Sequence, residues 1–220
     1  MKKILLIGIA FNIFFLYGCS NENNNKTAHH EKGQKIAKVY ESDNEYLTQI
    51  ALMRGHLHVG IELYKNGYID NAKMHMKHPK SELYSDIIPT FKAKNSEGFT
   101  VELENLASAV EGEEDFKFIS SKYKSLSDAI AINENYINDS SRLLAERIIL
   151  VRSLLEIAAD EYAVGIVNGK VKNKFEYQDA LGFTIVAKNI LKKTVTQSNE
   201  EEIKKNKVLE IIENLSDLWP

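Results

Sequence analysis

Four of the six histidines of this 220-residue chain, His56, His58, His75 and His78, fall between Leu52 and Asp86. Imidazole exchanges its proton near neutral pH and is the commonest metal ligand, so chemistry is expected in this stretch first. On a helix His56 and His58 point about 200° apart and cannot grip one ion. His56 shares a stripe with Leu52, Val59 and Leu63 and is expected to face inward, as a ligand or as a hydrogen-bonded core histidine. His58 has Arg54 and Glu62 four residues to either side and is expected on a solvated, charged face. His75 and His78 lie three residues apart, which puts both rings on one helical face, with Met74 at the same edge. That face can grip a metal; the spacing equally suits a short helical hairpin that carries surface histidines.

A tetrahedral or octahedral site needs further ligands. Glu156 and Asp160 are four apart, and Glu176 and Asp179 three apart, so each pair can converge on one side of its helix. Carboxylate-bridged bundles draw ligands from facing helices in this way, although their full Glu and Glu-x-x-His signature is absent here. The plainer alternative for these acids is a solvated face, with Glu176 as a capping residue. Mixed imidazole and carboxylate ligands suit iron or zinc, and Met74 beside two histidines would suit copper. No G-x-S-x-G, phosphate loop, H-E-x-x-H or c-type haem pair is present, so a non-enzymatic role is expected.

Apolar periodicity near 3.6 residues runs through the chain, and no alternating stretch asks for a sheet. Asn66-Gly67 should stop the histidine-bearing helix, and a second should run from Ile69 to Lys77, with Pro79 ending it or starting the next. Phe91 to Gly98 reads as a connector after Pro89, followed by helices over Val101 to Glu111 and, capped by Asp115, Phe116 to Ala131. Asn138-Asp139-Ser140 should open the longest helix, with Leu144, Ile148, Val151, Leu155, Ala158 and Tyr162 as its stripe. It is expected at the centre of the bundle, stopping at Asn168-Gly169. Capping boxes at Asn173/Glu176 and Ser198/Glu201 start the last two helices. The expectation is all-α: one antiparallel bundle of six to eight helices over residues 45–220.

Residues 1–18 read as a targeting segment: Lys2 and Lys3, an apolar run from Ile4 to Leu16, then Tyr17 and Gly18. Leu16-Tyr17-Gly18-Cys19 resembles the lipobox of bacterial lipoproteins, with Tyr17 where a small residue is usual. The resemblance implies that Cys19 is lipidated and becomes the first mature residue. Cys19 is the only cysteine, so the mature fold has neither a disulfide framework nor a thiolate metal site. Ser20 is not the aspartate associated with inner-membrane retention, which implies an outer-membrane anchor facing the periplasm. Residues 19–44, rich in Asn, Lys and Glu and carrying His29 and His30, read as a flexible tether. A formal net charge of −3 without a basic run argues against nucleic-acid binding.

Glu161-Tyr162-Ala163-Val164, Asn168-Gly169-Lys170-Val171 and Glu176-Tyr177-Gln178-Asp179-Ala180 with Phe183 resemble the extracytoplasmic helical region attached to some bacterial high-affinity iron permeases, over about residues 156–191. Gly55-His56-Leu57 with Gly60, and His75-x-x-His78-Pro79 with Glu82 and Tyr84, resemble an exported bacterial helical family without an established activity. The permease's own R-E-x-x-E segments are absent, so this is not the conducting part. The first resemblance implies an iron transport component as partner. Two functional expectations follow: a lipid-anchored extracytoplasmic protein that captures or hands over iron, or a helical interaction module at the envelope whose histidines are structural.

Overall fold

In the computed structural model, which describes residues 39–219, Ser42 opens the first helix by accepting a hydrogen bond from the Glu45 amide at 3.1 Å. Helix α1 (Asp43–Lys65) therefore starts two residues before the expected boundary. Asp43 fixes that start. Its buried carboxylate accepts from Lys94 Nζ at 2.5 Å, the Asn138 amide at 2.7 Å and Ser141 Oγ at 2.8 Å, drawing two connectors onto the head of the helix.

α1, at 23 residues, is the longest helix among the described residues and the central one, a place the sequence assigned to the helix after Asn138. The reason is circumferential burial: Tyr46, Ile50, Met53 and Leu57 enter one core cluster, while Ala51 and Leu52 enter another. A helix apolar on both flanks must sit between layers. α6 (Leu144–Gly165) buries Leu150, Val151, Leu154 and Ala158 but leaves Ile149 and Val164 exposed, so it packs on one face only.

α2 (Ile69–His78) follows the Asn66-Gly67 stop as expected. Pro79 has no N–H for the next helical hydrogen bond, and the chain widens into a π-type turn over Pro79–Tyr84 before resuming as α3 (Ser85–Ala93). The stretch expected as a connector from Phe91 is thus helical to Ala93, with Pro89 inside the helix. Burial of Ile87 and Phe91 outweighs the one hydrogen bond that Pro89 removes. α4 (Thr100–Glu111) and α5 (Phe116–Asn133) lie close to their expected bounds, the latter with Asp115 accepting from the Phe118 amide at 3.0 Å.

After a 3₁₀ turn at Asp139–Arg142, α6 ends at Gly165 rather than at Asn168. Two short strands, β1 (Ile166–Val167) and β2 (Lys170–Val171), pair antiparallel around Asn168 and Gly169, whose φ values of 53° and 68° are those of a type I′ turn. No sheet was expected; the Asn-Gly pair, taken as a helix stop, is a hairpin turn. α7 (Lys174–Lys193) and α8 (Asn199–Glu213) start at the two capping boxes, where Asn173 accepts from the Phe175 amide and Ser198 from the Glu201 amide. With eight α-helices among the described residues, the all-α bundle stands.

Where α1 crosses α7, a Cβ at Gly182 would lie 2.7 Å from the Gly55 carbonyl oxygen, and one at Gly55 would strike the Phe183 ring. Two helix backbones touch because neither carries a side chain there. Gly182→Ala gains about 1 kcal/mol of helix propensity and loses about 1–3 kcal/mol or more to overpacking, and because the struck atom is backbone the loss is expected to win. Thermal unfolding of Gly182→Ala should show a lower midpoint than wild type. An unchanged or higher midpoint would mean that the helices separate without cost.

Candidate metal centre

The crossing decides what stands beside His56. Asp179 lies three residues before Gly182 on α7, and its carboxylate reaches His56 Nδ1 at 2.6 Å through the same Oδ1 that meets His75 Nδ1 at 2.9 Å. Three helices, α1, α2 and α7, converge on one oxygen. His75 and Asp179 are 1% and 2% exposed, and His56 is 9% exposed. The second ring nitrogen of His75 meets Gln178 Oε1 at 2.9 Å. With the amide so placed, both nitrogens of His75 face acceptors, the pattern of an imidazolium; turning the amide over makes its NH₂ the donor to a neutral ring.

Aromatic walls hold the rings. Phe183 stands edge-on to His56 at 5.1 Å between centroids, and Phe175 flanks His75 at 5.8 Å. His78, half-buried, presents its ring at right angles to His56, 5.4 Å away. The ligand atoms of His56, His75 and Asp179 all lie within 4.8 Å of one another, so this buried group can hold a metal ion. Ligands about 2.1 Å from a tetrahedral or octahedral ion are themselves about 3 Å apart or more. The Asp179 contacts at 2.6 and 2.9 Å are shorter than that and would have to open to admit an ion. Burial would raise the Asp179 carboxyl, but the hydrogen bonds from His56 and His75 outweigh it and hold the group down at about 2. It is therefore an ionised carboxylate throughout the neutral range.

Beside this group, Glu161 on α6 hydrogen-bonds Glu176 on α7. Burial first, then that hydrogen bond and the charges of Glu176, Asp179 and Asp160, push the Glu161 carboxyl up to about 8. Glu161 thus keeps its proton at neutral pH.

His56, His75, His78, Asp179 and Glu176 are accordingly in one neighbourhood. Glu156 and Asp160 are not: both side chains are exposed on α6, and Glu156 pairs with Arg152 at 3.2 Å on its own helix. Met74 turns away from the histidines, 42% exposed in the groove that Lys77 and Val110 also line. His58 is half-buried rather than solvated, and burial lowers its pKa against the opposing charge of Glu62. The face expected to be open is covered by α5 and α7, which supply Tyr123 and Asn189 to the same cleft. Glu161 and Gln178 were not anticipated. Each lies within a segment noted for its permease-like pattern, but only the α6–α7 pairing shows that they face the site.

Residues 139–220 match the iron permease-associated 4-helix bundle domain. The match takes in α6, the hairpin, α7 and α8, and so contributes Glu161, Glu176, Gln178 and Asp179, while all three histidines come from the preceding half of the chain. No curated protein and no solved structure matches the chain.

The proton on Glu161 fixes the sign of a pH effect. A free glutamate releases it near about 4.3. The folded protein keeps it until about 8, so between these values the folded state binds a proton that the unfolded state does not. Stability should fall as pH rises across that window. In chelator-treated protein, the melting temperature of Glu161→Gln should depend less steeply on pH between 5 and 8 than that of wild type; parallel curves would show that Glu161 holds no extra proton in the folded state.

Proposed function

We propose that this chain is a lipid-anchored extracytoplasmic protein that binds a metal ion, iron foremost, at His56, His75 and Asp179, with His78 and the Glu161–Glu176 pair alongside. One observation carries the reading: a buried, ionised carboxylate lies within hydrogen-bonding distance of two imidazoles from two other helices, with a third imidazole ring adjacent. Mixed nitrogen and oxygen donors suit iron or zinc, and with Met74 turned outward the donor set holds no sulfur that would favour copper. The match to an iron permease-associated domain supports iron and, as partner, a component of an iron transport system. Among the described residues no helix is long and apolar enough to cross a membrane. Attachment then rests on Cys19, which lies outside the described residues, as do the targeting segment and most of the tether.

The alternative, an interaction module with structural histidines, draws on one feature: both ring nitrogens of His75 and one oxygen of Asp179 are already hydrogen-bonded without an ion. Calorimetric titration of iron, zinc and copper separates the two. His56→Ala, His75→Ala and Asp179→Asn are expected to weaken binding by about tenfold or more, with His58→Ala and Glu156→Gln close to wild type. Binding should tighten from pH 6 to pH 7.5, because imidazole ligates only when neutral. Equal binding in all six proteins, or none in wild type, would leave the cluster as structure.

Anchoring is tested separately. A single acyl chain holds a protein to a bilayer only reversibly, so stable attachment calls for multiple acylation of Cys19. Mass spectrometry of protein extracted from membranes should find an acylated N-terminal Cys19; a soluble form starting elsewhere would remove the anchor.

A further inference from the structure

On the side of α1 away from α2, a cleft of about 390 Å³ opens between α1, α5, α6 and α7. Leu47, Ala51, Ala131, Leu150 and Ile190 make its apolar floor, and Arg142, Arg147 and Lys193 stand around it. Glu134 is the one acid in the lining, and it is already committed: it takes Arg54 Nε at 2.6 Å on one oxygen and Arg54 NH2 at 2.9 Å on the other. Arg142 bonds the Asn135 side chain at 3.3 Å and the Asn135 carbonyl at 3.1 Å and lies 3.7 Å from the exposed carboxylate of Asp139. Arg147 is half-buried, and its guanidinium has neither a hydrogen bond nor an ion pair among the described residues. Burial and the neighbouring Arg142 charge both work against its protonated form, with Glu134 and Asp43 only partly offsetting them.

A guanidinium held in a cleft beside a second one, with no carboxylate of its own, is an unfavourable arrangement that an anion from outside would relieve. We propose that this cleft binds a small organic anion carrying two or more carboxylates, with Arg147 and Arg142 gripping the carboxylates and the apolar floor taking the carbon skeleton. The volume lies within the about 300–1,000 Å³ usual for small-molecule sites. A guanidinium fork suits a carboxylate's paired oxygens, and cations at several places on the rim ask for more than one anionic group. The floor distinguishes such a ligand from a bare inorganic anion, which would leave Leu47, Leu150 and Ile190 uncovered. None of the cleft residues belongs to the histidine cluster, so the two sites are independently testable.

The probe is tricarballylate, a three-carboxylate carbon chain, titrated into the full-length protein in detergent at low salt. Binding is expected in wild type, at least tenfold weaker in Arg147→Met and in Arg142→Gln, and unchanged in Asp179→Asn. Inorganic phosphate should bind wild type at least tenfold more weakly than the tricarboxylate. Arg147→Met should melt no lower than wild type, since it removes an unpaired charge and keeps the side-chain length, so loss of binding in that variant will not reflect unfolding. No binding in wild type, equal binding in Arg147→Met, or phosphate binding as tight as tricarballylate would each overturn the proposal.

Discussion

A carboxylate taken out of water must find partners, and the organisation of this bundle follows from where Asp179 finds them. Burying an isolated carboxylate costs on the order of several kcal/mol, so the position is tolerable only while donors surround it. Here the donors belong to α1 and α2, while the carboxylate belongs to α7. The contact requires α1 and α7 to approach until their backbones meet at Gly55 and Gly182. Polar chemistry and close packing thus constrain each other. The helices can come together because two side chains are missing, and together they enclose a charge that only the neighbouring helices can satisfy.

The same crossing sorts the histidines of α1. Two residues apart on one helix, His56 meets the α7 carboxylate and an aromatic edge, whereas His58 enters a different cleft lined by Arg54, Tyr123 and Asn189. α1 therefore separates two polar regions with unlike balances of charge, one gathering acids and imidazoles and the other gathering guanidinium groups. A central helix buried on both flanks allows this, because each flank packs against its own neighbours.

What could be read from the sequence was what depends on residues within a turn or two of each other. The stripe through Leu52, His56 and Val59 showed that His56 faces inward, and the caps at Asp115, Asn173 and Ser198 placed three helix starts to within a residue or two. The one-turn spacing of Glu176 and Asp179 put both on one side of α7, and it is Asp179 that meets the histidines. What escaped depends on which helices become neighbours. Glu156 and Asp160 have the same kind of spacing as Glu176 and Asp179, yet their strip of α6 faces solvent, while Glu161, one residue further on, faces α7. His58 looked solvent-facing because its flanking charges, Arg54 and Glu62, do not reveal that α5 and α7 cover it. Asn168-Gly169 was ambiguous even locally, since a left-handed pair serves both a helix end and a type I′ turn.

The hairpin at Asn168-Gly169 bears on the order in which the molecule assembles. It joins α6 to α7 through a tight turn, so these two helices can find each other with little loop-closure entropy. The histidine cluster has no such shortcut: His56 and His75 lie 123 and 104 residues from Asp179 along the chain. Contacts of long sequence separation form slowly, since their entropy is lost before their energy is gained. On this topology the carboxylate side of the site is laid down early and locally, whereas the imidazoles arrive only when α1 and α2 dock. A newly made chain would thus complete the buried group of His56, His75 and Asp179 as one of the last events of folding, and until then would hold only its acidic half.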